Sequence, residues 1–355
     1  MEDQKPYVKN AVTELIDSKT DPDSPRLAGF LIDMFCTPMI DVADEFGLPT
    51  YVFYTSGAGF LGFMFHLQSL HDNENVDTTE FAKTPNIELP ISSFVNPVPA
   101  SVFPGVVLDK TSVASMMMHT RDIRNRTKGI LVNTFMELEY HAIQSLSDAK
   151  SKFPPLYPVG PILNLNRVES DRKSDVIEWL EGQPHSSVLF LCFGSMGSFN
   201  EPQIKEIAIA LEQSGVRFLW SLRRPPSKDK MVMNGDCDVR KRVKEMSGKS
   251  RTVLVEGGSS HSSLQNWINV ELKLSVEIKL DYRTGFYTGA DDEDVIVTAQ
   301  EIETGIRKLM EAGSDVRKRV KEISEKSKQA FMDGGSSYSS LRSFIETVIE
   351  SLPSI

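Results

Sequence analysis

The sequence predicts an α/β protein of two domains, each built on parallel strands, and three observations carry that expectation. Residues 187–222, SVLFLCFGSMGSFNEPQIKEIAIALEQSGVRFLWSL, read as strand, turn, helix and strand. Residues 26–54 read the same way, with strands over 26–32 and 49–54 around a helix over 37–46. At 355 residues, 40% apolar and 25% charged, the chain is also long enough for two cores of ordinary globular composition.

The first of these units is the more informative. Its opening strand, 188–193, is an unbroken apolar run, the pattern of a strand buried on both faces of a parallel sheet. Gly194, Ser195, Gly197 and Ser198 form a small-residue turn, and Ser198 with Glu201 reads as a capping box for a helix over 202–213. Ile204, Ile207, Ala208 and Leu211 recur at helical spacing, Gly215 is placed to end the helix, and 217–222 is the second strand. Such a turn aims backbone N–H groups and the positive end of a helix above the strand, which favours a phosphate. A plain strand-to-helix turn remains the competing reading, because FGSMGS has neither Walker spacing nor the full dinucleotide fingerprint.

Composition narrows the function classes. A net charge of −10 and a pI near 5.2 offer no bulk basic surface to a nucleic acid or an anionic membrane. Cys36, Cys192 and Cys237 are odd in number and far apart, which suggests buried thiols in a reducing compartment and no metal site. The opening MEDQKPYVKN has no apolar leader, and no apolar run is long enough to span a bilayer, so a cytoplasmic, soluble protein is expected, and a monomer is expected besides.

Along the first half, Asp33 stands just past the carboxyl end of its strand, the edge where open α/β sheets bind ligands; capping the next helix is the equal alternative. Residues 56–70 are apolar nearly all round, as in a buried helix, and His66 and His71 beside it read as structural more readily than as pocket residues. Residues 73–104 dissolve into prolines and polar residues, a long loop of the kind that forms lids or pocket walls. A helix over 111–127 carries Met116, Met117, Met118 and His119, which suit either a core or an irregular apolar ligand. A strand over 129–135, a helix to about 149 and a short strand over 156–159 complete this half. Asn133, Thr134 and Glu137 at the strand end either touch a ligand or cap.

The last third contains a duplication. DVRKRVKEMSGKSRTVLVEGGSSHSSL at 238–264 recurs as DVRKRVKEISEKSKQAFMDGGSSYSSL at 315–341. Each copy reads as a basic helix, a Gly-Gly stop and a Ser-capped helix start, with Gly257, Gly258, Gly334 and Gly335 as caps. Interspersed Glu argues for a solvated face over nucleic-acid binding. Between the copies, 274–280 alternates like a strand and 298–310 reads as an amphipathic helix.

Taken together, several blocks resemble the plant UDP-dependent glycosyltransferases of flavonoids, hydroquinone and other phenols. They are GFLIDMFCTPMIDVADEFGLPTYVFYTS, GILVNTFMELE, LYPVGPI, WLEGQPHSSVLFLCFGSMGSF, RFLWSLRRPP, VEIKLDYR and the EIETGIRKLM to GGSSYSSL tail. The resemblance implies the GT-B fold, two Rossmann-like domains facing across a cleft. Residues 1–160 would be the acceptor-binding domain, 161–185 the linker and 186–355 the donor-type domain. It implies glucose transfer from a UDP-sugar co-substrate to a small phenolic acceptor with inversion, without a metal or other cofactor. By the same resemblance Asp33 is the acidic partner of a catalytic histidine, and Gly194, Ser195 and Gly197 form the donor phosphate turn. Phe35, Met117 and His119 are the acceptor-pocket candidates.

The pattern also departs from the family. The family's catalytic histidine lies in a His-x-x-Pro block that precedes the point where this sequence starts. Its donor-binding signature, expected between RFLWSLRRPP and VEIKLDYR, is replaced by the first copy of the duplicated segment. Both domains are therefore expected to be incomplete, with low stability. Loss of a general base alone typically forfeits about two to four orders of magnitude in rate. A binding remnant for acceptor or partner, or a misfused gene product, is the alternative to an impaired enzyme.

Overall fold

Short apolar runs become parallel strands in both halves of the chain. The computed structural model describes residues 1–17, 27–148, 153–163, 175–193, 199–224, 251–256, 269, 271–278 and 296–352. They divide into two units: Met1–Ala100 with Val106–Leu163 and Lys321–Ile355, and Ser101–Gly105 with Asn164–Val320.

In the first unit, β1 (Phe30–Asp33), β2 (Thr50–Tyr54), β5 (Gly129–Val132) and β6 (Leu156–Pro158) form one parallel sheet in that order. Its register sets Asp33 beside Phe53 and Tyr54 beside Val132, so the carboxyl ends of β1, β2 and β5 lie along one edge. All four residues of β5 are buried, as an apolar run between two covered faces should be. Helices α2 (Met39–Glu45), α3 (Ala58–Glu74) and α6 (Tyr140–Ser147) cover one face through Ile40, Leu61, Phe65 and Ile143. The hairpin of β3 (Glu88–Leu89) and β4 (Val98–Pro99) organises the long loop of 73–104. Ser93 from that loop donates to the carbonyl of Gly59 at 3.2 Å, and a Cβ on Gly62 would lie 2.3 Å from Ser93, so the loop packs where α3 has no side chain.

One feature of this unit adds to the sequence reading and another departs from it. Residues 5–17 form α1 (Lys5–Asp17), whose Val8 and Val12 face inward and whose Lys5 meets Asp41 at 2.8 Å. The tail expected in the second domain belongs here instead. The last helix places Phe344 edge-on to Tyr51 and Tyr157, with centroids 5.1 and 5.3 Å away, and so covers the other face of the sheet. Ser337 at its start donates to the Gly160 carbonyl at 2.6 Å and Ser336 to Glu137 at 2.8 Å. The boundary therefore differs from 186–355 because an amphipathic helix goes where an apolar sheet face is open, whatever its place in sequence.

Helices α4 (Gly105–Leu108) and α5 (Lys110–Arg126) precede β5, and Asp109 caps α5 by accepting from Thr111 and Ser112 N–H, both at 3.0 Å. In the second unit, α7 (Asp175–Glu181) leads into β7 (Val188–Cys192), α8 (Glu201–Ser214), β8 (Arg217–Arg224) and β9 (Arg251–Glu256). The three strands are parallel in the order β7-β8-β9. Phe218, Trp220 and Leu222 alternate onto one face of β8 and pack against α8 and α9 (Ala299–Met310). Gln203 ties these helices together, donating to the Val297 carbonyl at 2.9 Å and accepting its N–H at 2.8 Å. Thr298 and Glu301 form a capping box on α9.

Three local expectations are corrected here. Asn200, not Ser198, caps α8, accepting from Gln203 N–H at 3.0 Å, while Gly215 ends that helix at φ +64° as expected. Residues 274–278 are not a strand: Lys273 takes a left-handed φ of +59° and Leu274 N–H bonds back to Asn269, which turns the chain. The duplicated segments also diverge. Residues 251–256, RTVLVE, form β9, whereas their counterparts 328–333, KQAFMD, lie at the end of α10 (Asp315–Ala330) and in the turn to α11 (Ser336–Glu350). Two valines and a threonine turn one copy to extended backbone despite its sequence kinship with a helix.

Candidate active site

The carboxyl edge of the first sheet gathers the polar groups that the sequence singles out. β1 ends on Asp33, and the chain turns at once. Phe35 N–H donates to Asp33 Oδ1 at 2.9 Å and Cys36 N–H to the Asp33 carbonyl at 2.9 Å, an Asx turn. Asp33 does not cap α2, whose N-cap position is Pro38. Its Oδ2 has no hydrogen-bond partner among the described residues, and the half-buried carboxylate is left with one oxygen free for another group.

His119 projects from α5 toward this turn. Its Nδ1 lies 2.8 Å from Oγ1 of Thr37, which is wholly buried, and Phe35 stands edge-on to its ring with centroids 6.0 Å apart. Burial pushes the imidazole pKa down, while the carboxylates of Asp122 and Asp33 pull it back up. The structure thus brings Asp33, Phe35 and His119 together. Met117 faces elsewhere: it is buried, and it lines a cavity of about 400 Å³ with His71, Asn75, Thr78, Lys110 and Val113.

The neighbouring candidates have structural partners. Asn133 donates to the Thr55 carbonyl at 3.3 Å and accepts Ile162 N–H at 2.9 Å, joining the loops after β2 and β6. Glu137 receives Ser336 and so fixes the start of α11. His141 bonds the carbonyls of Ser92 and Phe94, and burial holds the pKa of His66 down. Sequence reasoning missed Glu139. This buried carboxylate accepts Ala58 N–H at 3.0 Å and Gly59 N–H at 2.9 Å, capping α3 from 80 residues away. A Cβ on Gly57 would lie 2.4 Å from it, so the glycine makes room.

Gly194, Ser195 and Gly197 lie outside the described residues, as do Gly257 and Gly258. Among the described residues, a groove of about 420 Å³ runs along β7, lined by Phe190, Cys192, Phe199, Ile278, Ile302 and Leu309. Among the described residues no cluster of His, Cys, Asp or Glu could hold a metal ion, and no helix is long and apolar enough to cross a membrane.

No family model matches the chain. Similarity to individual proteins is extensive. UDP-glycosyltransferase 71A15 of Malus domestica is 47% identical over 98% of this chain and 82% of its own length. The chain belongs to the plant UDP-glycosyltransferases. UDP-glucose flavonoid 3-O-glucosyltransferase 6 of Fragaria ananassa is 48% identical over 98% of this chain and 81% of the relative. Among solved structures, a UGT transferase from Siraitia grosvenorii in complex with UDP superposes with a TM-score of 0.81. It is 39% identical and covers 98% of this chain and 87% of that one. Medicago truncatula UGT71G1 complexed with UDP-glucose gives 0.77 at 32% identity, over 98% and 79%. The fold of this glycosyltransferase is accordingly of the expected α/β, GT-B type. The alignment with the Malus domestica relative has 394 positions, and 98% of 355 residues is about 348, so roughly 46 positions within it belong to the relative alone.

Proposed function

We propose that this chain transfers glucose from UDP-glucose to a hydroxyl of a flavonoid or other small phenol, with inversion at the anomeric carbon. The observation that carries this reading is 47–48% identity across 98% of the chain to plant UDP-glycosyltransferases, one of them a UDP-glucose flavonoid 3-O-glucosyltransferase. Asp33 supports it physically, as a half-buried carboxylate on the ligand-binding edge of a parallel sheet with one oxygen unengaged.

In the reaction, the acceptor oxygen forms a bond to the anomeric carbon as its O–H proton passes to a base, and the bond from that carbon to UDP breaks with UDP leaving as the anion. As the acidic partner that the resemblance implies, Asp33 would stabilise the positive charge on a base that takes this proton. The first unit would hold the acceptor and the second the donor, with Gly194, Ser195 and Gly197 presenting N–H groups to the phosphates. The sugar nucleotide is a co-substrate, and the mechanism assigns no step to a metal or other cofactor. The protein is expected to act as a cytoplasmic monomer.

A second reading has its own support. The roughly 46 relative-only positions and the groove beside β7 favour a protein that binds acceptor but transfers slowly or not at all. UDP release from UDP-glucose with a panel of flavonols and simple phenols, beside Asp33→Asn, separates the two. Transferase activity should appear and fall about 100-fold or more in the variant. Release that Asp33→Asn leaves unchanged would remove Asp33 from the mechanism. No release from a folded sample that still binds a flavonol would establish the second reading.

A further inference from the structure

We infer that His119 binds the acceptor's reacting hydroxyl through its Nε2, with Thr37 fixing the imidazole and Phe35 flanking the acceptor ring. This rests on the proposed acceptor class and assigns its positioning residue.

The geometry supplies each part. Thr37 is wholly buried and its Oγ1 lies 2.8 Å from Nδ1, so one ring nitrogen is occupied. With the proton on Nδ1, Thr37 accepts it and Nε2 is left as an acceptor, which is what a phenolic O–H requires. Nε2 has no partner among the described residues. The ring is half-buried and sits within the electrostatic reach of Asp33 and Asp122, the charged groups that act on it. Burial keeps it neutral near pH 7, the form that can accept. Phe35, 47% exposed and edge-on to the imidazole, presents apolar surface beside the ring. His141, whose Nε2 is engaged by two carbonyls, has no such opening.

The test is calorimetric binding of kaempferol and of its fully O-methylated ether to the full chain. The wild type should prefer kaempferol, and His119→Phe, which keeps ring volume but loses both nitrogens, should weaken kaempferol about tenfold while leaving the ether unchanged. His119→Gln, whose amide oxygen can accept, should restore part of the loss, and Thr37→Val should give an intermediate one. Equal effects of His119→Phe on both ligands, or none, would overturn the inference. If His119→Phe fails to fold, His119→Gln and Thr37→Val decide by the same ratio of the two ligands. Binding of neither ligand by the folded wild type would overturn the acceptor assignment itself, and the inference with it.

Discussion

The two sheets answer the same sequence signal in different ways. β5 and β7 both read as unbroken apolar runs, the mark of a strand covered on both faces. In the first unit β5 is covered on both faces: α2, α3 and α6 pack one face of the sheet, and Phe344 and Val348 from α11 reach the other. In the second, Leu189 and Leu191 turn toward α8 and α9, but Phe190 is 60% exposed and Cys192 is exposed with it. β7 ends its sheet among the described residues and borders the apolar groove. An apolar run therefore reports what a strand can bury, not what is there to bury it.

The largest expected effect breaks the covered sheet. Phe344→Ala removes the ring wedged between Tyr51 and Tyr157 and should cost about 2–4 kcal/mol. Hydrogen exchange should accelerate at β2 and β6 amides and leave β8 amides as they were. Equal acceleration in both units would mean that α11 does not belong to the first sheet alone.

That placement of α11 is also where the sequence was least legible. Periodicity identified the tail as amphipathic, but nothing local says which of two open sheet faces it will cover; that is decided by Tyr51 and Tyr157, more than 180 residues upstream. The readings that held were those whose cause is local: the strand at β5, the amphipathic helix that starts after Thr298, and Gly215 as the end of α8. The duplication misled because kinship was taken for shared structure, and Val253 and Val255 outweigh it. At the site, the position of Asp33 was readable from its strand end. That His119 meets Phe35 while Met117, two residues earlier, faces another cavity follows from the 100° step of the helix, once α5 is packed.

A smaller effect tests how the covering layer of the first unit is held. Asp72 on α3 accepts Arg121 Nε on α5 at 2.7 Å, with Gln68 and His71 also bonded to it. The Arg121 hydrogen bonds hold its pKa far below the ordinary carboxylate range, against the opposing effect of burial. A depressed folded pKa contributes stability above the unfolded value, near pH 4, and that contribution is lost as pH falls toward the folded one. Because the pair is partly open to solvent, Arg121→Met should cost only about 0.5 kcal/mol at neutral pH. The difference from wild type in urea midpoint should shrink below pH 4; a difference that grows there would reverse the assignment.

The smallest expected effect addresses the open sheet. Phe190→Ser replaces a ring that is 60% exposed on β7, so little burial is lost and stability should change by less than about 0.5 kcal/mol. The change should appear instead in self-association, since an exposed apolar strand at a sheet edge is a template for pairing. Light scattering on concentrated protein should therefore fall in the variant while its thermal midpoint holds. A midpoint that drops as far as that of Phe344→Ala would mean that Phe190 is covered in solution as completely as β5 is, and the contrast between the two sheets would disappear.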